Sequence, residues 1–93
     1  MIIIPAIALA EALYIAEKGR VPVKFEQIFA AVEGALNYRF YPLDLPVLQR
    51  VSELGRLKEI HDRVIVATAR HLGLQLITDD REIQQSGYVG IIW

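Results

Sequence analysis

The stretch HDRVIVATARHLGLQLITDD, residues 61–80, has the clearest sequence of helix, turn and strand in the chain. Residues 61–72 predict a helix, and Gly73 follows at the position where helices commonly stop. Residues 74–78 are an apolar run of strand length, and two aspartates come next. A helix that leads directly into a buried strand is one repeat of an α/β fold.

Outward from this stretch, short β-branched runs continue to alternate with helical segments. The predicted strands are 2–4, 38–43, 74–78 and 89–93, and the predicted helices are 5–18, 24–36, 45–54 and 61–72, with a helical turn at 80–85. This order, β-α-α-β-α-α-β-α-β, predicts a single domain over residues 1–93, an α/β sandwich with a mainly parallel sheet.

Residues that start or stop helices support these boundaries. Pro5 suits the first turn of a helix, and Asp44 suits the N-cap of the third one. Gly19 and Gly87 are expected to end helices, and Asn37 is expected to be a left-handed cap after the second helix.

Composition limits the class of protein. The chain of 93 residues is 54% hydrophobic, and its ten Lys and Arg nearly balance its eleven Asp and Glu. Nucleic-acid binding would therefore need a local basic patch, because a net charge near zero gives no overall attraction to phosphates. The apolar excess predicts a covered parallel sheet with surface left for an oligomer interface. The absence of cysteine excludes disulfides and thiolate metal sites and agrees with a cytoplasmic protein.

The apolar first sixteen residues are not expected to cross a membrane. They are shorter than the roughly 20 residues that a spanning helix needs, and they contain Glu11. A signal peptide would carry basic residues at its start, and none precedes Lys18. We therefore expect no membrane association.

Glu11 is the first of three acids whose positions point to chemistry. On a helix its neighbours at three and four residues are apolar or aromatic, namely Ile7, Ala8, Tyr14 and Ile15. An ionised carboxylate on such a face is costly unless it is paired or binds a cation. The structural alternative is a boundary residue that reaches solvent or pairs with a basic side chain.

Asp62 and Asp80 are the other two acids, and each has a structural alternative to weigh. Asp62 could simply cap the helix that starts near it. Asp79 forms a capping-box pattern with Glu82, which leaves Asp80 with the weaker structural explanation. Both Asp62 and Asp80 are expected near the crevice at the carboxyl ends of the strands. Several carboxylates in one place suit a hard cation such as Mg²⁺ or Mn²⁺.

The motifs resemble those of the PIN-domain family, in particular the VapC-type toxins of bacteria and archaea. The matching stretches are IPAIALAE at 4–11, LYIAEKGRV at 13–21, HDRVIVATAR at 61–70, LQLITDDREI at 74–83 and VGIIW at 89–93. They cover essentially the whole chain in the order of the family. The helix with Asp-Arg-x-Ile-x-Ala-Thr-Ala, followed by a strand that ends in Thr-x-Asp, is the most specific part.

The resemblance implies a PIN-like three-layer α/β/α sandwich and an endoribonuclease that uses Mg²⁺ or Mn²⁺. It assigns the catalytic and metal-binding acids to Glu11, Asp62 and Asp80. It also implies RNA phosphate contacts for Arg63 and Arg81, whose structural alternative is a weak surface ion pair. It also places Thr78 and Asp79 at the periphery of this site.

One departure from the family is large. PIN domains normally begin with a strand that bears an aspartate, followed by one or two helices, and nothing here precedes Met1. The chain therefore resembles roughly the C-terminal three-quarters of the domain. The absent strand would be central, between the strands at 2–4 and 74–78, and its loss would leave two unpaired edges. The sheet could close over the gap, a partner could supply a strand, or the chain could belong to a longer product.

Two functions follow as hypotheses. The first is a toxin ribonuclease that is regulated by a small antitoxin and self-associates. The second is a catalytically inactive PIN-like remnant that binds protein or RNA without cutting it. Retention of the three acids favours the first hypothesis, and the absent strand favours the second.

Overall fold

A computed structural model describes residues 2–34 and 37–93 and separates the chain into two compact units, with the boundary between Pro42 and Leu43. We call these the N-terminal unit and the C-terminal unit and describe each by itself. None of the helices in the described part of the chain is long and apolar enough to cross a membrane.

The N-terminal unit contains two parallel strands and two helices. Its elements are β1 (Ile2–Pro5), α1 (Ala6–Glu17), α2 (Phe25–Glu33) and β2 (Tyr38–Tyr41). Ile2 pairs with Tyr38 and Pro5 with Tyr41 in the parallel register of β1 and β2. Pro5 is both the last residue of β1 and the N-cap of α1, so the strand passes into the helix without a loop. Two helices between two strands provide the long connection that parallel pairing requires.

No described residue of the N-terminal unit is buried. Helix α1 is apolar on every side, and Glu11 is the only charged residue before Glu17. A helix that is hydrophobic all round is normally enclosed on all sides. In the N-terminal unit this enclosure is incomplete, because Tyr14 and Ile15 remain 57% and 40% exposed.

The C-terminal unit contains three helices and a second pair of parallel strands. Its elements are α3 (Leu45–Val51), α4 (Ile60–Leu72), β3 (Leu76–Ile77), α5 (Arg81–Ser86) and β4 (Ile91–Ile92). Leu76 pairs with Ile91 and Ile77 with Ile92. Helix α5 forms the connection between these two parallel strands.

The hydrophobic core of the described residues lies in the C-terminal unit, and α4 is its centre. Five buried residues come from α4, namely Val64, Val66, Ala67, Thr68 and Ala69. Helix α3 and the loop after it contribute Val47, Val51, Leu54 and Leu57. The Thr68 hydroxyl donates to the main-chain oxygen of Val64 at 2.8 Å, so its burial costs no hydrogen bond.

Local residue chemistry sets the ends of these helices. Asp44 Oδ1 accepts a hydrogen bond from the main-chain N of Val47 at 3.1 Å and caps α3. Gly73 follows α4 with a φ of 67°, in the left-handed region that favours glycine. The Nε of Arg50 donates to Nδ1 of His71 at 3.2 Å and links α3 to α4.

The predicted order of elements and the parallel pairing are confirmed, and several boundaries change. The second helix ends at Glu33 with Gly34 as its C-cap, so the proposed cap at Asn37 is wrong, and the predicted end at Leu36 lies outside the described residues. The strands predicted at 74–78 and 89–93 are shorter in the structure, where only Leu76–Ile77 and Ile91–Ile92 are strand. The described strands form two separate pairs. The three-layer sandwich and the single domain stay predictions.

We expect Leu54→Ala to lower the free energy of unfolding of the C-terminal unit by about 2–5 kcal/mol, because Leu54 is fully buried and truncation leaves a cavity. Urea unfolding would measure the change. Leu45→Ala is the matched control, since Leu45 is 66% exposed and should cost well under ~1 kcal/mol. Equal costs for the two variants would contradict the position of this core.

Candidate functional site

Glu11 lies in the middle of α1 and is half-buried. Its Oε1 atom is shielded from solvent, and the residues that flank it along the helix are apolar or aromatic. A carboxylate that is partly withdrawn from water in this way suits a site that holds a cation. Glu11 belongs to the N-terminal unit, whereas Asp62 and Asp80 belong to the C-terminal unit.

Asp62 lies in the first turn of α4, where it is half-buried. The N-cap of α4 is Glu59, so the structural explanation of Asp62 as a helix cap is wrong. A carboxylate in the first turn still interacts favourably with the helix dipole. That interaction stabilises the helix.

Asp80 is the N-cap of α5, a role that the sequence had favoured for Asp79. Its Oδ1 accepts a hydrogen bond from the main-chain N of Ile83 at 3.0 Å. Asp80 is exposed, and capping engages one of its two carboxylate oxygens. The expected capping box of Asp79 and Glu82 is absent, because Glu82 Oε1 instead accepts from the main-chain N of Lys58 at 2.9 Å.

Thr78 organises the turn that carries Asp80. The Thr78 hydroxyl accepts a hydrogen bond from the main-chain N of Asp80 at 3.1 Å, and its main-chain oxygen accepts from Gln84 Nε2 at 2.9 Å. The turn is therefore tied both to itself and to α5. Asp79 is exposed on the same turn.

The two arginines expected to contact phosphate differ in their surroundings. The Nε of Arg63 donates to the main-chain oxygen of Leu57, so this half-buried side chain holds the loop that leads into α4. Arg81 is the first residue of α5 and is exposed. Of the two, Arg81 has the more accessible side chain.

The described acids have the donor chemistry for a divalent cation but do not assemble a site for one. Carboxylate oxygens are the ligands that Mg²⁺ and Mn²⁺ prefer. Among residues 2–34 and 37–93, however, no group of three or more His, Cys, Asp or Glu is placed to hold a metal ion.

A family comparison identifies the class of protein. The family model described as the PIN domain matches residues 1–87. The chain belongs to the PIN domain family, whose members are generally nuclease-like and typically depend on a divalent metal. No curated protein matches the chain.

Two features of the site were not visible in the sequence. The cap at Asp80 could not be separated from one at Asp79, because adjacent aspartates give the same local signal. A cluster of Arg56, Arg70 and Tyr88 was also missed, since Arg56 is 32 residues and Arg70 18 residues from the tyrosine. No local motif predicts contacts over such separations.

We expect Asp80→Ala to destabilise the C-terminal unit by about 0.5–2 kcal/mol, while Asp80→Asn should change its stability little. Asparagine can accept the same hydrogen bond from Ile83, whereas alanine cannot. Thermal or urea unfolding of the two variants would test this. A loss as large for Asp80→Asn as for Asp80→Ala would show that the charge, and not the cap, stabilises the turn.

Proposed function

We propose that this chain is a metal-dependent endoribonuclease of the VapC toxin type. The observation that carries the proposal is the PIN family match over residues 1–87, which includes all three candidate acids. Asp62 is not the N-cap of α4, which removes one structural explanation for an aspartate at this position and so supports the proposal. PIN family membership by itself establishes a nuclease-like class, and the toxin type is our extension of it.

In this proposal Glu11, Asp62 and Asp80 are the catalytic acids and hold Mg²⁺ or Mn²⁺. When bound, such a cation would supply an activated water molecule and positive charge opposite a phosphodiester. Asp80 would use the carboxylate oxygen that is not engaged by the α5 cap. Thr78 would position Asp80 through the hydrogen bonds of its turn, with Asp79 at the edge of the site.

The proposed partners follow from the toxin assignment. The substrate is RNA in the cytoplasm, and Arg81 contacts one of its phosphates through an exposed guanidinium. Arg63 acts near the phosphates while it supports the loop at Leu57. A small antitoxin would lay a helix or an extended segment near the acids and block access to them.

The proposal also includes a further strand that carries an additional aspartate. Each described sheet has only two strands, so each strand presents an unpaired edge to which another strand can add. An added strand would also bring another carboxylate to the described acids, which assemble no metal-binding group.

That same observation favours the alternative function. If the described acids never assemble around a cation, the chain is a catalytically inactive PIN-like module that binds RNA or protein. The two functions differ in one measurable property, which is the cleavage of RNA.

We also propose that the N-terminal unit is an interface between copies of this chain. Among its described residues, nine large apolar side chains are 38% to 57% exposed, namely Ile2, Tyr14, Ile15, Val21, Val23, Phe25, Phe29, Tyr38 and Phe40. Together they present on the order of 700 Å² of surface, taking roughly 200 Å² for a large side chain. Each partner in a standard interface buries about 800 Å². A second copy supplies a matching apolar surface of the same size.

The purified chain should cleave single-stranded RNA in the presence of Mn²⁺, and EDTA should abolish the cleavage. Asp80→Asn should reduce the rate by more than roughly 100-fold, because even groups that only support metal ligands cost 10- to 100-fold when lost. Gel analysis of a labelled RNA measures the rate.

Asp79→Asn is the matched control, since it removes the same charge from the neighbouring position and should leave most of the activity. Because Asp80→Asn keeps the α5 cap, its loss of activity would not reflect unfolding. An inactive wild-type chain, or activity that survives Asp80→Asn, would contradict the proposed enzyme and favour the non-catalytic module.

In sedimentation velocity at micromolar concentration, the wild-type chain should run as a dimer or larger, and Ile15→Lys should shift it to the monomer. Leu48→Lys is the control, because Leu48 is similarly exposed but lies in the C-terminal unit. A monodisperse wild-type monomer would rule out the interface.

A further inference from the structure

Tyr88 lies in the turn after α5, and two arginines from distant parts of the chain converge on it. The main-chain N and the Nε of Arg56 donate to the Tyr88 hydroxyl oxygen at 3.2 Å and 3.1 Å. The Nη1 of Arg70 donates to the main-chain oxygen of Tyr88. The guanidinium carbons of Arg56 and Arg70 lie 4.4 Å and 5.7 Å from the centroid of the Tyr88 ring.

The surroundings of the ring are strongly cationic. The side-chain hydrogen bond from Arg56, followed by its main-chain hydrogen bond, holds the pKa of Tyr88 below its ordinary value. Desolvation of the hydroxyl opposes this lowering of the pKa, and the charges of Arg56 and Arg63 add to it. All described side-chain contacts of Arg56 and Arg70 are with Tyr88, and none is with a carboxylate.

The two guanidinium groups are held in place while part of their donor capacity stays unused. In the described contacts, both terminal nitrogens of Arg56 and the Nε and Nη2 of Arg70 donate to no protein atom. Both side chains are exposed. Stacking on an aromatic ring and one fixed hydrogen bond reduce the entropy that a guanidinium loses when it binds a ligand. The planar fork that remains matches the geometry of a phosphate.

We propose that Arg56, Tyr88 and Arg70 form a binding site for the phosphodiester backbone of RNA, with the arginines as ligands and Tyr88 as the residue that positions them. The inference rests on the proposed function, which gives the chain an RNA substrate. Because the net charge of the chain is close to zero, binding of that RNA needs a local group of cationic side chains. It adds Arg56 and Arg70 to the phosphate contacts that the proposed function gives to Arg63 and Arg81.

The place of this site in the C-terminal unit supports the assignment. Arg70 belongs to the same helix as Asp62 and lies eight residues further along α4, about 12 Å at 1.5 Å per residue. Arg56 lies one residue before Leu57, whose main-chain oxygen binds Arg63. Tyr88 follows α5, the helix that Asp80 caps. An RNA strand that passes Asp62 would therefore meet Arg70 after running about 12 Å along α4.

A purely structural role accounts for less of this geometry. One arginine would be enough to hold the Tyr88 turn, and a second guanidinium near the same ring adds repulsion between like charges. An anion bound by the guanidinium groups would offset that repulsion. A phosphodiester chain offers such anions in series, and its binding depends steeply on salt.

The test is fluorescence anisotropy of a labelled single-stranded RNA of mixed sequence, titrated in EDTA so that no cleavage occurs. Affinity is measured for the wild type and for the double variant Arg56→Gln/Arg70→Gln over a series of salt concentrations. The double variant should bind more weakly, and the slope of log affinity against log salt should fall by roughly 1.4, about 0.7 for each lost contact with a single strand.

The double variant Arg20→Gln/Arg39→Gln is the matched control. It removes the same two charges from exposed positions of the N-terminal unit and should keep the wild-type slope. Equal losses in the two double variants, or an unchanged slope for Arg56→Gln/Arg70→Gln, would overturn the site and leave the proposed nuclease standing. A wild-type chain that binds no RNA at low salt would overturn the proposed function, and the site with it.

A spectroscopic titration checks the cluster without RNA. One of the four tyrosines should ionise below the ordinary range for tyrosine, and Arg56→Gln should raise the pKa of Tyr88 because it removes the side-chain hydrogen bond to the hydroxyl. Absorbance near the phenolate band follows this change. An identical titration curve for Arg56→Gln would show that the contact is absent in solution and would overturn the proposed site.

Discussion

The burial of the middle of α4 is the constraint on which the C-terminal unit depends. Five of the buried residues belong to this helix, and those of α3 and the following loop pack in the same core. Since core side chains stabilise by the apolar area they remove from water, α4 cannot shift without a large loss of stability. The residues at its ends are fixed as a consequence, with Asp62 in its first turn and Arg70 in its last.

Two loops become ordered because α4 is fixed. Arg63 holds the loop before the helix through the main-chain oxygen of Leu57, and Glu82 of α5 binds the same loop through the main-chain N of Lys58. Arg70 holds the turn at Tyr88. Asp62 and Arg70 are therefore carried by one rigid helix, which is the arrangement that precise binding requires.

The N-terminal unit has the opposite character. It contains the most apolar helix of the chain and a parallel strand pair, yet none of its described residues is buried. Parallel strands are usually covered on both faces, so this unit has the composition of a core without the enclosure of one. An interface with a second copy and an added strand would each supply apolar cover.

The sequence by itself determined the order and type of the elements, their parallel pairing and the family, because helix periodicity, terminators such as Gly73 and short motifs are local properties. It also identified Glu11, Asp62 and Asp80 as the acids to consider. Only the tertiary structure decided that Asp80 is a cap, that Asp62 is not, and that Arg56 and Arg70 converge on Tyr88. These outcomes depend on which of two adjacent residues meets a given N–H, and on contacts between residues far apart in the chain, which no local pattern encodes.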